Sequence, residues 1–185
     1  MNRYKKFASD SKDDICDLLE KLVAIPSVME EAKPGYPFGE ATAKALEAML
    51  AAAKALGFAV NNVDNYYGTA DYLPDGVSTP GLAILCHLDV VPEGKGWTYE
   101  PFACTEKDGI LYGRGVTDDK GPAVSALYAL YSVKQLGAKL SKGVRLIFGT
   151  NEENGSADIE HYLKKDKMPP MVFTPDASYP LINCE

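Results

Sequence analysis

The sequence has no apolar run long enough to cross a bilayer, which excludes a membrane-spanning helix. Its opening, Met1-Asn2-Arg3-Tyr4-Lys5-Lys6, is basic, but the apolar core of a secretion signal does not follow. There is no excess of positive charge. Lys and Arg number 19 against 26 Asp and Glu, a net charge of -7. A nucleic-acid binder needs a basic face to displace counterions from phosphates, so that class is excluded. Of the four cysteines, Cys16, Cys86, Cys104 and Cys184, no two form a CxxC pair or stand at zinc-finger spacing. They read as reduced, mostly buried thiols of a cytoplasmic protein, not as disulfides. Histidine is scarce, with His87 and His161 alone. Internal repeats and low-complexity tracts are absent.

What remains is the balance of a globular protein, with 46% apolar and 24% charged residues. A length of 185 residues suits one domain or one long piece of a larger one. Ser11 is placed to cap a helix, with Asp13 and Asp14 in its first turn. Ile15, Leu18, Leu19, Leu22, Val23 and Ile25 follow at helical spacing, and Pro26 ends them. After a loop rich in Pro and Gly, a second amphipathic helix is expected from Glu40 to Leu56, with Gly57 at its C-terminal cap. Phe58 to Val63 and Tyr66 to Leu73 read as strands around an Asn/Asp-rich turn. Leu82 to Cys86 is a continuous apolar run of strand length, as in a central strand buried on both faces.

Gly109 to Tyr112 reads as a short strand and Gly121 to Gly137 as a helix. Val144 to Phe148 reads as a strand, Ile159 to Lys164 as a short helix, and Met171 to Phe173 as a third core strand. Strands alternating with helices predict an α/β fold with a mostly parallel central sheet and flanking helices.

Four polar clusters fall where these elements end or begin. His87-Leu88-Asp89 follows the buried strand. Residues two apart on an extended chain face the same way, so Asp89 can orient the His87 imidazole. Asp118-Asp119 precedes the helix near Gly121. Glu152-Glu153 follows the Val144–Phe148 strand, and Asp176 follows Met171–Phe173. Open α/β sheets bind ligands outside the carboxyl ends of their strands. Carboxylates crowded there repel one another by roughly 4 kcal/mol per pair at about 4 Å and an effective dielectric near 20. A pair of divalent cations removes that conflict, and imidazole with carboxylates suits zinc and tolerates manganese or cobalt. Each cluster also has a plainer explanation: a local hydrogen bond, helix-capping aspartates, a solvated turn. His161 reads as a surface residue. The metal reading rests on all four clusters occurring together.

Four stretches carry a resemblance. They are His87-Leu88-Asp89-Val90-Val91-Pro92, the run from Gly113 through Asp118-Asp119-Lys120-Gly121, Asn151-Glu152-Glu153-Asn154-Gly155-Ser156, and Phe173-Thr174-Pro175-Asp176-Ala177. With them the chain resembles the metallopeptidase family of aminoacylase, acetylornithine deacetylase, glutamate carboxypeptidase, carnosinase and bacterial peptidase V. The resemblance runs on to Tyr179-Pro180-Leu181-Ile182-Asn183. Trp97 with Pro101-Phe102, the Asp108–Tyr112 run and Thr174–Ala177 look most like the peptidase V dipeptidases.

The resemblance implies a dipeptidase acting through two divalent ions, zinc first, that polarise a bridging water. It assigns His87 and Asp176 to one metal, Glu153 to the other and Asp118 to both. It makes Glu152 the general base and Asp89 the partner of His87. It also implies a cis peptide bond after Asp118. Members of the peptidase V type are more than twice this length, with an inserted lid and a late histidine on the second metal. His161 does not match that histidine. The chain is therefore expected to be an N-terminal segment, residues 1–185, of the catalytic domain, to bind at most one metal well, and to have little activity alone. An N-acyl amino acid deacylase and a non-catalytic binding module are the alternatives. Substrate side chains and oligomeric state stay open.

Overall fold

The computed structural model describes residues 2–176. Ala177, the Tyr179–Asn183 stretch and Cys184 lie outside the described residues. In chain order the elements are α1 (Arg3–Asp10), α2 (Lys12–Val23), α3 (Glu40–Ala55), β1 (Ala59–Val63), β2 (Tyr67–Tyr72) and β3 (Pro80–His87). There follow β4 (Thr105–Lys107), β5 (Ile110–Tyr112), α4 (Lys120–Gln135), β6 (Gly143–Gly149), a 3-10 turn (Glu152–Asn154), α5 (Ala157–Lys165) and β7 (Met171–Phe173).

The main sheet has the order β1-β2-β6-β3-β7. The pairings of β3 with β6 and β7 are parallel, and β1-β2 and β2-β6 are antiparallel. The fold is therefore α/β with a mixed sheet, parallel at the strands that carry the site. In β3 and β6 successive side chains point to opposite faces, and both faces are apolar. Ile84, Cys86, Leu146 and Phe148 pack against Leu22, Leu46, Met49 and Leu127 of α2, α3 and α4. On the other face Ala83 and Ile147 meet Tyr67 and Tyr162, the latter from α5.

Local chemistry sets the connections. Helix α3 ends at Gly57 (φ 79), where the Gly57 and Phe58 amides donate to Lys54 O and Ala53 O. That is the Schellman pattern, and it needs the left-handed residue that glycine supplies. Asp64 and Asn65 both adopt positive φ in the β1–β2 turn, which short polar side chains tolerate. Asp108-Gly109 turns β4 into β5, in a small separate hairpin.

Three sequence expectations change. Helix α1 was not foreseen; it is fixed by the Asn2 side chain accepting from the Tyr4 amide and by an edge-to-face contact of Phe7 with Tyr131 of α4. Ser11 joins α1 to α2 and makes no side-chain capping bond. Among the described residues strand β7 lies at the edge of the sheet, where a core strand was expected, with Met171, Val172 and Phe173 all about half exposed. Its pairing among the described residues is with β3. No helix among the described residues is long and apolar enough to cross a membrane.

Candidate metal centre

Strand β3 delivers His87 at its carboxyl end, level with Gly149 of the parallel neighbour β6. The imidazole is only 3% exposed. Its Nδ1 lies 3.0 Å from the Asp89 carbonyl oxygen and 3.4 Å from the Asp89 carboxylate. Two oxygens facing Nδ1 favour the tautomer protonated there, which leaves the Nε2 lone pair free. Main-chain and carboxylate oxygens of Asp89 thus share the orienting role.

Nε2 is buried and has no hydrogen-bond partner among the described residues. Around it stand Asp118 Oδ1 at 3.0 Å, Asp176 Oδ2 at 3.2 Å and Glu152 Oε2 at 3.7 Å. Glu153 belongs to the same cluster. Ligand atoms of His87, Asp118 and Glu153 lie within 4.8 Å of one another, as do those of His87, Glu152 and Asp176. His161 is in neither group; it stacks on Tyr66 and bonds Asp64.

A lone pair aimed at carboxylate oxygens is repulsive unless a positive charge lies between them. The titration behaviour of the groups expresses the same demand. Burial opposes charge on His87, yet Asp89, Asp119 and Asp176 override it and push the imidazole up to about 10. Burial raises Glu152 and Glu153, and neighbouring carboxylates add to it while His87 opposes. A nitrogen donor and several carboxylates with spare lone pairs fit borderline divalent cations such as zinc.

The neighbours of these groups hold them from behind. The bond between Asp118 and Asp119 is cis. The Asp118 carboxylate faces His87, while the fully buried Asp119 accepts the His87 backbone N–H at 2.9 Å. Burial pushes the Asp119 carboxyl up to about 7, against the His87 amide. Asp119 occupies the N-cap position of α4 but makes no capping bond, so the plain helix-cap explanation fails for it. Lys120 is also fully buried, and its ammonium donates to Leu22 O at 2.8 Å in the last turn of α2 and to Ile25 O at 2.7 Å just beyond it. Burial pushes that ammonium down to about 7, opposed by the charge of Asp89. Ser27 donates to Leu88 O at 2.6 Å, and its carbonyl accepts the Val90 amide.

Asp119 was named with Asp118 in one polar cluster but given no role of its own, and Lys120, Asp158 and Ser27 were assigned no part in the site. Their partners are backbone atoms, which spacing does not reveal. Beside the cluster a cavity of 240 Å³ opens between Leu85, Ile159 and Thr174, with His87, Glu152 and Asp176 on its wall.

Known proteins resemble this chain in sequence and in fold. The sequence profile of peptidase family M20/M25/M40 matches residues 83–184. The putative dipeptidase YtjP of Bacillus subtilis (strain 168) is 43% identical over 176 residues, covering 94% of this chain and 37% of that protein. The Beta-Ala-Xaa dipeptidase of Lactobacillus delbrueckii subsp. lactis is 41% identical over 185 residues, covering 98% and 39%. Human carnosine dipeptidase 1 superposes with a TM-score of 0.80 at 25% identity, covering 96% of this chain and 41% of that one. The chain thus spans about two fifths of the length of these relatives.

Proposed function

The chain belongs to peptidase family M20/M25/M40, and from that membership we propose that the cluster around His87 is the centre of a metal-dependent dipeptide hydrolase. The observation that carries this reading is the buried, unpartnered Nε2 of His87 facing the carboxylates of Asp118 and Asp176. The names of two relatives point to dipeptides as the substrate class. We read residues 1–185 as a segment of that family's catalytic domain. The free Cys16, Cys86 and Cys104 support a cytoplasmic setting.

In this reading His87 and Asp176 would hold one divalent ion, Glu153 would hold a second, and Asp118 would contribute to both. Zinc is the first choice, with manganese or cobalt as substitutes. When bound, the ions supply Lewis-acid polarisation of the scissile carbonyl and acidify the attacking water.

The chain's own residues do the remaining work. We take Glu152, whose Oε2 lies 3.7 Å from Nε2, as the base. Its raised carboxyl, set first by burial, suits a group that takes a proton from water and returns it to the departing amine. Asp89 keeps the His87 ring in one orientation. The wall of the 240 Å³ cavity offers room for a small side chain.

The test uses the whole protein with zinc, a set of dipeptides and a set of N-acyl amino acids. Glu152→Ala is expected to lower dipeptide turnover by about 10²–10⁴-fold with zinc content unchanged. His87→Ala is expected to lose zinc. Undiminished turnover in Glu152→Ala would end the general-base assignment. Turnover of the acyl amino acids alone would make the protein a deacylase.

A further inference from the structure

Four consecutive backbone amides leading into the Glu152–Asn154 turn are all held by buried carboxylates. Thr150 and Asn151 donate to Asp158 Oδ2 at 2.7 and 3.0 Å. Glu152 and Glu153 donate to the two carboxylate oxygens of Asp89, each at 3.1 Å. Asp89 is two residues from His87, whereas Asp158 comes from the first turn of α5. Asp158 is fully buried, and its other oxygen accepts the Ile159 amide at 2.8 Å. Among the described residues every hydrogen-bond partner it has is a backbone N–H. Burying a carboxylate costs desolvation free energy, which the three backbone donors and the helix N-terminus offset.

The strand is shaped to let this carboxylate in. A Cβ at Gly149 would collide with Asp158 Oδ2. Gly149 is the β6 residue paired with His87, and its carbonyl accepts the Leu88 amide. The oxygen that grips Thr150 and Asn151 therefore sits directly against the strand level that carries the imidazole.

We infer that Asp158 is a positioning residue of the metal centre. With Asp89 it forms a two-carboxylate clamp that fixes the backbone from Thr150 to Glu153, and so the reach of Glu152 and Glu153 toward His87. The inference rests on the metal-centre reading above. A side chain on a three-residue turn swings with its backbone, so a freed turn carries both glutamates out of register. Partners one layer behind metal ligands commonly set affinity by about 10–100-fold.

The experiment compares Asp158→Ala, Asp158→Asn and Gly149→Ala in the whole protein with Tyr162→Phe. The last also perturbs α5, through the Tyr162 bond with Arg145. Three readouts are taken: amide hydrogen exchange at 150 and 151 without metal, zinc affinity by competition with a chelator, and kcat separately from KM. Asp158→Ala and Gly149→Ala should speed exchange at both amides and weaken zinc by about 10–100-fold. They should lower kcat while KM moves less than about 3-fold. Asp158→Asn, which keeps an acceptor oxygen, should recover part of both losses. Tyr162→Phe should lower the melting temperature without changing zinc affinity.

Wild-type zinc affinity in folded Asp158→Asn and Gly149→Ala overturns the clamp. So does an equal loss of affinity in Tyr162→Phe. A wild-type protein that binds no zinc overturns the metal-centre reading and the clamp together, which separates the two failures.

Discussion

The backbone amide of His87 donates to the carboxylate of Asp119 at 2.9 Å, tying the strand that carries the imidazole to the loop that carries Asp118. The two adjacent aspartates divide the work, one facing the cluster and one bracing it. Removing the brace leaves the His87 amide buried without a partner, which costs about 1–3 kcal/mol. Asp119→Ala should lower the urea unfolding free energy by that amount and weaken zinc binding. Asp119→Asn, whose side-chain oxygen can still accept the amide, should lose less of both. Equal unfolding free energies for wild type and Asp119→Ala would show that this bond contributes nothing.

Zinc should stabilise the fold through His87. A ligand bound only by the folded state adds RT ln(1 + [L]/Kd), about 2.7 kcal/mol at a hundredfold excess over Kd. Thermal unfolding with and without excess zinc should therefore show a clear upward shift that EDTA reverses. His87→Ala removes the nitrogen shared by both candidate ligand groups, so its shift should vanish. A shift that survives in His87→Ala would place the zinc elsewhere.

The sequence displayed the centre of the sheet because β3 and β6 are apolar on both faces, and a continuous run of strand length has few other uses. Gly57 marked the end of α3 for an equally local reason. Helix α1 was hidden, since its anchor Phe7 packs on Tyr131, a partner that only the tertiary fold supplies. Strand β4 is Thr105-Glu106-Lys107, polar throughout, and is a strand only by pairing with β5. An apolar triplet such as Met171–Phe173 cannot say whether it lies at the centre or the edge of a sheet. His87, Asp118, Glu152, Glu153 and Asp176 stood out because they sit at element ends. The bracing role of Asp119, and any role for Lys120 and Asp158, could not be read there, because each acts on the main chain of residues that spacing cannot identify.

Lys120 predicts a dependence of stability on pH. Its folded-state ammonium is pushed from the ordinary 10.5 down to about 7 by burial. Between those values the unfolded chain binds the proton more tightly than the folded one, so this residue makes stability rise with pH across that window. Below about 7 both states are charged and the desolvation penalty is fully felt. Lys120→Met lacks the titration. The urea midpoint of the wild type, measured relative to that variant, should climb from pH 7 to pH 10. A difference that stays flat over that range contradicts the depressed ammonium.

The loop that carries Asp118 closes on itself at Gly121. A Cβ at Gly121 would run into the carbonyl oxygen of Val116, and the Gly121 amide donates to Gly115 O at 3.2 Å. The obstacle is backbone, so no side-chain rotation relieves it. Gly121→Ala must push the 115–119 segment away from the start of α4, moving Asp118 and Asp119 together. Overpacking of this kind costs about 1–3 kcal/mol. Ordinarily alanine would favour a helix over glycine by about 1 kcal/mol, so a net loss here would be the signature of the collision. The variant should unfold at lower urea and bind zinc more weakly than wild type, with the loss of affinity smaller in Gly137→Ala, where no atom lies within 4 Å of the added methyl group. A Gly121→Ala protein as stable as wild type, with unchanged zinc affinity, would mean that the loop has room the packing does not show.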